Sequence, residues 1–239
     1  MAEIKFVNKI DNLVFLKNII VSCTNKDGLL SNKKKSGGLI EGIPENGLLG
    51  FIAEKNKDVL FLSTGESYKL INDAGLNVQE ISDYTGYPEM KTGLVKSLHP
   101  KIHAGILAHK YTLEDAQFIE EHNIKYIDAI IINFYDLQAT LNNKNSTIEM
   151  IRQAIDIGGP SMGHNARKAF ISTALITEPD HYCKLIAELA KYNGAVSLEM
   201  RIELAKLAST RITEYLIKVD AAIQQLEIQD VLNSYQVQV

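Results

Sequence analysis

The sequence predicts an α/β fold in which a doubly wound, mostly parallel sheet is followed by C-terminal helices. Five short apolar runs rich in Ile, Val, Leu and Phe are nearly continuous rather than alternating, which is typical of parallel strands covered on both faces. Helical segments separate these runs, as a doubly wound sheet requires. In chain order, the predicted strands are residues 18–23, 58–62, 77–81, 127–134 and 170–176.

Three segments between the predicted strands have helical patterns. The first follows a Ser-Thr-Gly turn, the second begins with acidic side chains, and the third follows Ser146, with Glu149 three residues later in a capping-box pattern. An Asp-Ile-Gly-Gly-Pro run opens a further helix, because proline suits the first helical turn. The three segments are residues 67–74, 113–122 and 147–155.

The C-terminal part of the chain predicts a helical pair, residues 179–192 and 198–226. In the second helix, apolar residues recur every three or four positions, which indicates a face packed on the sheet domain. We therefore expect a sheet domain at residues 18–176 and packed helices at 177–239. Residues 1–17 form an N-terminal extension, for which an added edge strand is one interpretation.

Composition excludes several classes of function. The net charge is −4 and no long basic face is visible, which argues against nucleic-acid binding. No apolar run approaches the roughly 18 residues of a membrane span, and the N-terminus lacks an apolar signal region. The two cysteines are far apart and indicate a reducing compartment, so we expect a cytoplasmic protein. Pro100 between His99 and His103 argues against a metal site there.

Residues 82–110 are the most informative segment of the chain. They combine glycines, prolines, histidines and lysines with no helical or strand period. Such composition is typical of a rigid loop that carries polar side chains, so we expect this segment to form a wall of an active site. In open parallel sheets, ligands bind beyond the carboxyl ends of the strands, where this loop also belongs.

Polar clusters follow or precede four of the predicted strands at that same edge. Each has an ordinary alternative: Ser and Thr side chains cap helices, Asp156 is an N-cap candidate, Tyr135 packs, and Lys96 and Lys168 are surface charges. Their convergence favours a binding crevice, in which a Ser-Thr-Gly turn before a helix can hold phosphate. The clusters are Thr24-Asn25-Lys26, residues 63–67 with Thr64, Gly65 and Ser67, Asn133-Phe134-Tyr135, and residues 156–161 beginning Asp156-Ile157-Gly158.

Four blocks resemble the IMP cyclohydrolase domain of the bifunctional AICAR transformylase/IMP cyclohydrolase family. They occur in the family's order and read FLSTGESYKLINDAGL, SDYTGYPEM with GLVKSLHPKIHAGILA, IDAIIINFY, and DIGGPSMGHNARK. The resemblance covers about residues 18–224 and lacks the transformylase half. It implies a sheet of the methylglyoxal-synthase type in a stand-alone cyclohydrolase, although the glycine- and aspartate-rich pattern of methylglyoxal synthase itself is missing.

The resemblance also implies a reaction in purine biosynthesis. It is the closure of 5-formamidoimidazole-4-carboxamide ribotide to IMP with loss of water, which needs positioning, a base and an acid but no cofactor or metal. Its partners are then a small ribonucleotide substrate, a separate transformylase that supplies it and, as in the family, a second copy in a homodimer.

Individual roles carry over from matching motif positions. Lys168 takes the place of the general acid/base lysine beside Asp156 and Tyr135, and Lys96 stabilises oxygen charge or shares the proton transfer. The resemblance assigns binding of the 5′-phosphate to Thr24, Asn25, Lys26, Thr64, Gly65 and Ser67. The resemblance assigns binding of the ring and its substituents to Ser97, Asn133, Ile157 and Gly158.

Two departures from the family concern the phosphate. Leu94 stands where an arginine is usual, and Glu66 replaces the second glycine of the phosphate turn, where a carboxylate repels phosphate unless it points away. One interpretation is a working enzyme with a rebuilt phosphate site, in which the insertion at residues 31–47 supplies lysines 33–35. The alternative is a catalytically altered relative that binds a phosphorylated metabolite or nucleotide.

Overall fold

A computed structural model describes residues 6–91 and 93–237. Within these ranges the main sheet has five parallel strands in the order β4-β3-β2-β5-β6. The α/β fold expected from the sequence is thereby confirmed, and each predicted strand overlaps an observed one. The strands are β2 (Asn18–Ser22), β3 (Leu60–Ser63), β4 (Val78–Glu80), β5 (Ala129–Ile132) and β6 (Ala174–Ile176).

The central strand β2 determines where a ligand can bind. β3 pairs with one side of β2 and β5 with the other, so the chain reverses its direction of travel across the sheet at β2. Such a switch point opens a crevice beyond the carboxyl ends of the two diverging strands. Ile19, Ile20, Val21 and all of β5 are buried, as expected for strands covered on both faces.

Helices cover both faces of the sheet and divide its apolar side chains into two clusters. Those that connect the strands are α1 (Gly47–Lys55), α2 (Gly65–Asp73), α3 (Ile81–Thr85), α4 (Pro100–Leu107), α5 (Leu113–Glu121), α6 (Leu137–Asn142), α7 (Ile148–Gln153) and α8 (Gly158–Lys168). After β6 come a 3-10 turn (Pro179–His181), α9 (Tyr182–Lys191), α10 (Leu198–Gln224) and α11 (Ile228–Ser234).

The N-terminal extension contributes a strand, but not to the edge of the main sheet. β1 (Leu13–Phe15) pairs antiparallel with β7 (Ala195–Ser197) in a separate two-stranded ribbon. Arg201 secures this ribbon: it is fully buried and donates hydrogen bonds to main-chain carbonyls. Because the carbonyl oxygens satisfy its guanidinium, the buried charge is tolerated. The acceptors are Asp11, Asn12, Phe170, Ile171 and Val196.

Two local expectations were wrong. Residues 82–110 are not devoid of regular structure, because α4 begins at Pro100, which occupies the first helical position rather than breaking a helix. The N-cap of α7 is Thr147 rather than Ser146: the Thr147 hydroxyl accepts the Met150 N–H, and the Ser146 hydroxyl donates to the Thr140 carbonyl. None of the described helices is long and apolar enough to cross a membrane.

Candidate active site

Asn133 fixes the loop beyond the central strand. Its Oδ1 accepts the backbone N–H groups of Thr24 at 2.6 Å and Asn25 at 2.8 Å, while its Nδ2 donates to the Asn25 carbonyl at 2.8 Å. The side chain is buried at the switch point between β2 and β5. Its amide therefore acts mainly on the protein backbone, and it sets the position of Thr24, Asn25 and Lys26.

The turn beyond β3 leads directly into α2. Gly65 adopts a left-handed φ of 58°, a conformation that favours glycine, and its N–H donates to Glu80 Oε1. The Ser67 hydroxyl is buried and bonds both backbone groups of Cys23, which ties the start of α2 to β2. Thr64 stands at the N-cap without a capping side-chain bond, so the capping alternative does not account for its hydroxyl.

Opposite charges meet across this turn. Lys26 Nζ lies 2.7 Å from Glu66 Oε2, and the Glu66 side chain is 79% exposed. The hydrogen bond and charge of Lys26 lower the pKa of Glu66, and the more distant charge of Lys35 lowers it further. The carboxylate in the turn is thus already held by a cation that the sequence assigned to phosphate.

Lys96 lies on the other side of the same turn. A Cβ added to Gly65 would be 3.5 Å from Lys96 Nζ, and Lys96 forms an ion pair with Glu89. Both side chains line a cavity of about 310 Å³ with Thr64 and with Leu94, which is 54% exposed. Residues 87–90 and 94–96 therefore form a wall of a cavity at the carboxyl edge, within the segment in which such a wall was expected.

Val95 and Ser97 define the backbone path beside Lys96. Val95 has a φ of 68°, which is an outlier for a β-branched residue. Ser97 is buried, and its Oγ would be 2.7 Å from a Cβ added to Gly158. A side chain at position 158 would force Ser97 to move, so the loop and the start of α8 are in direct contact.

Asp156 precedes α8 at the same edge. Its Oδ1 accepts the Gly159 N–H at 3.1 Å, and its own N–H donates to the Tyr215 hydroxyl at 2.6 Å. Burial raises the pKa of Asp156, while the backbone N–H groups of Gly159 and Gly158 partly oppose this effect. An oriented, partly desolvated carboxylate of this kind is suited to proton transfer.

Ile157 and Tyr135 flank these groups with exposed side chains. Ile157 is the N-cap residue of α8 and is 57% exposed. Tyr135 is 58% exposed and follows Asn133 and Phe134, and Phe134 Cδ1 would be 3.2 Å from a Cβ added to Gly159. Both residues therefore belong to the edge at which the crevice was predicted.

Lys168 is not brought beside Asp156 and Tyr135. It is exposed at the last position of α8, and at about 1.5 Å of rise per residue it lies about 15 Å from Gly158 along the helix axis. The helix returns towards the amino ends of the strands, where Ala174 bonds the Asp128 carbonyl. Lys168 and Asp156 are close in the sequence motif but far apart in the structure, because the residues between them are helical.

The histidines of residues 82–110 have structural partners. His99 is the N-cap of α4, where its Nδ1 accepts the Lys101 N–H, and His103 Nδ1 lies 2.6 Å from Asn165 Nδ2 in α8. Burial lowers the pKa of His103. Among the described residues no group of three or more His, Cys, Asp or Glu side chains could hold a metal ion. These contacts fit the bracing role expected for both histidines.

Sequence reasoning missed three contributors to the site. Glu89 was part of a quoted motif, yet its pairing with Lys96 has no signal in the spacing. Tyr215 was visible only as an apolar position of a packed helix. The third is the hairpin in which Lys33 bridges Leu39: the insertion was expected to supply lysines 33–35, but its hairpin was not predicted.

The chain has relatives among known proteins. Residues 51–161 match a family model described as an MGS-like domain. The chain is 34% identical over 208 residues to the bifunctional purine biosynthesis protein PurH of Magnetococcus marinus, covering 87% of this chain and 35% of that protein. It is 43% identical over 157 residues to PurH of Neisseria meningitidis serogroup A, covering 66% and 30% respectively.

A solved structure has the same fold. The crystal structure of a protein named ForH superposes with a TM-score of 0.67 at 24% identity, covering 87% of this chain and 98% of that one. The chain thus contains an MGS-like domain and spans about a third of the length of the curated PurH relatives it matches. The resemblance stated from the sequence blocks is confirmed at this level.

Proposed function

We propose that this chain, a homologue of one part of the PurH proteins, acts in purine biosynthesis as an IMP cyclohydrolase. The reaction closes 5-formamidoimidazole-4-carboxamide ribotide to IMP. The observation that supports it most is the pairing of two features at one edge of the sheet. The turn around Lys26, Thr64 and Gly65, suited to bind an anion, lies next to Lys96, and the partly buried Asp156 precedes Gly158, which contacts Ser97.

The chemistry has two demands that these groups meet. The carboxamide nitrogen forms a bond to the formyl carbon and loses one proton, and the formamido nitrogen loses a second. The former formyl oxygen takes up both protons and leaves as water as the carbon–nitrogen double bond forms. Asp156 is suited to accept the amide proton, because its raised pKa brings it closer to neutral pH. Lys96 supplies positive charge for the oxygen as negative charge develops on it, and Tyr135 is an exposed hydroxyl at the same edge.

The phosphate end has been rebuilt around lysines. Thr24, Asn25 and Lys26 lie in the loop held by Asn133, and Thr64 offers its hydroxyl. Ser67 acts by fixing α2 to β2, since its hydroxyl is occupied with Cys23. In place of the arginine that the family has at Leu94, the hairpin at residues 33–39 brings Lys35 close enough to influence Glu66.

This reaction class also implies the surroundings of the enzyme. As the resemblance implies, we propose that a separate transformylase delivers the formylated ribotide. We further propose a cytoplasmic protein that forms a homodimer. These three points rest on the resemblance, and size-exclusion chromatography with light scattering tests the dimer.

The decisive experiment follows IMP formation from the formylated ribotide by ultraviolet absorbance, with wild type, Lys96→Ala and Lys168→Ala in parallel. Wild type should form IMP, and Lys96→Ala should not form it at a comparable rate. Wild type that makes no IMP, yet is thermally stabilised by IMP, would instead support a nucleotide-binding relative. Glu66 and Leu94 at the phosphate end are the features that favour this second candidate.

A second experiment tests the rebuilt phosphate end. Replacing Lys33, Lys34 and Lys35 together by alanine should raise KM for the ribotide with little change in kcat, because the hairpin contributes charge but does not touch the reacting atoms. If neither constant changes, the hairpin has no part in phosphate binding. The matched control replaces Lys110, whose ion pair with Asp11 lies beside Asp128 at the amino edge of the sheet.

A further inference from the structure

The ion pair between Glu66 and Lys26 occupies the place where ligand phosphate is expected. Glu66 is the second residue of α2, directly after Gly65, and its carboxylate reaches across to Lys26 Nζ at 2.7 Å. The Lys26 side chain is 23% exposed, whereas that of Glu66 is 79% exposed. Glu66 therefore has more room than Lys26 to change its position when a ligand binds.

Lys35 is a second cation that acts on the Glu66 carboxylate. The hairpin closes by the Lys34 N–H to the Gly38 carbonyl at 3.1 Å, and the Lys35 N–H donates to Asp27 Oδ1 at 2.7 Å. Asp27 belongs to the loop that carries Lys26, so the hairpin is anchored beside the turn. The charge of Lys35 already acts on Glu66, since it contributes to the lowered pKa of that carboxyl after the larger effect of Lys26.

We infer that Glu66 competes with the ligand's phosphate for Lys26. Together with Lys35, Glu66 determines how strongly the phosphate end of the site selects ligands by their charge. Without ligand, Glu66 neutralises Lys26. A phosphate monoester displaces the carboxylate from Lys26, and Glu66 then moves towards Lys35. This inference rests on the proposed function, because it takes the turn at Thr64 and Gly65 as the phosphate end.

Competition of this kind predicts how the affinities of phosphorylated and unphosphorylated ligands depend on Glu66. A ligand with a 5′-phosphate must displace Glu66, so removing the Glu66 charge should strengthen its binding. A nucleoside without phosphate leaves the pair intact, so its binding should not depend on Glu66. Removing Lys35 takes away the partner of the displaced carboxylate and should weaken phosphate binding more while Glu66 is charged than after its charge is removed.

The test compares dissociation constants of IMP and inosine by calorimetry for wild type, Glu66→Gln, Lys35→Ala and the double variant. Exposed ion pairs have small effects, so we expect Glu66→Gln to tighten IMP binding by about three- to tenfold and to leave inosine unchanged. Lys35→Ala should weaken IMP binding by a similar factor in wild type and by less in the Glu66→Gln background. Asp11→Asn, which breaks the pair with Lys110 at the amino edge of the sheet, is the matched control.

The outcomes separate the inference from the proposed function. If IMP is formed but Glu66→Gln leaves its affinity unchanged or weakens it, the competitor role is wrong and the cyclohydrolase stands. If Glu66→Gln increased the affinities for IMP and inosine equally, the competitor role would also be wrong, because phosphate would then not be the group that displaces Glu66. If no variant binds IMP and none forms it, the proposed function and the inference fail together.

Discussion

The backbone N–H of Asp156 donates to the phenolic oxygen of Tyr215 at 2.6 Å. Tyr215 lies in the long helix α10 and is buried, and its ring is 5.1 Å from that of Phe134, the residue between Asn133 and Tyr135. One side chain of the C-terminal helices therefore supports two parts of the candidate site. These helices do more than cover the sheet, because they set the position of the carboxylate proposed as the base.

Tyr215→Phe should lower kcat several-fold with a small change in KM. The substitution leaves a buried N–H of Asp156 without its acceptor, which costs about 1–2 kcal/mol and loosens the carboxylate. Thermal unfolding and steady-state kinetics check both parts. The control is Tyr111→Phe, whose hydroxyl accepts the Asp11 N–H and donates to the Ile171 carbonyl. Equal kinetic effects in the two variants would show that Tyr215 acts only through stability.

Asp156 should give the acid limb of the pH profile. The base must be ionised, and burial raises the pKa of this carboxyl, so kcat/KM should fall with decreasing pH at values above the ordinary aspartate range. Asp156→Asn should remove almost all activity, while its amide oxygen still accepts the Gly159 N–H. An Asn variant that keeps wild-type activity would exclude Asp156 as the base.

Stability provides the control for that variant. The folded pKa of Asp156 is raised above the unfolded value, so the ionised carboxylate is destabilised by folding at neutral pH. The contribution of this group to stability is therefore present at low pH and is lost as pH rises through the folded pKa. Asp156→Asn should unfold at the same temperature as wild type or higher at pH 7, which separates loss of chemistry from loss of fold.

The two lysines of the family motifs should behave differently. Lys96→Ala should lower kcat by about 10²–10³, the usual cost of removing one group that stabilises developing charge. Lys168→Ala should change kcat by less than about tenfold, because in a site built from one chain about 15 Å of helix separates it from Gly158. Single-turnover rates measure both. A loss in Lys168→Ala as large as that in Lys96→Ala would assign Lys168 to catalysis, as the resemblance implied.

The elements that the sequence predicted well are those with local causes. Each strand of the main sheet follows from a continuous apolar run, and the start of α8 follows from its Gly-Gly-Pro run. The predictions were wrong where one residue type can play two structural roles. Pro100 was interpreted as a breaker, whereas at the first position of α4 it has no N–H to lose and its φ is already helical.

The remaining parts of the site depend on contacts between distant segments. Nothing in the local sequence indicates that Tyr215 meets Asp156, 59 residues earlier, or that Lys26 holds Glu66 across two strands. The partner of β1 likewise depends on β7, near the other end of the chain. Such pairings follow from the order of strands and the direction of helices, which the apolar pattern does not specify.

Asp128→Asn should stabilise the fold above pH 6 and leave activity intact. Burial raises the pKa of Asp128 to about 6 although Oδ2 accepts the N–H groups of Lys17 and Asn18, and it lies at the amino edge of the sheet, opposite the candidate site. Since the folded pKa exceeds the unfolded one, its contribution to stability is fully present below about pH 4 and is lost as pH rises through 6. The unfolding free energy of Asp128→Asn relative to wild type should therefore rise by up to about 3 kcal/mol between pH 4 and 7, as measured by urea denaturation. A difference that stays constant over this range would mean that Asp128 titrates normally in the folded protein.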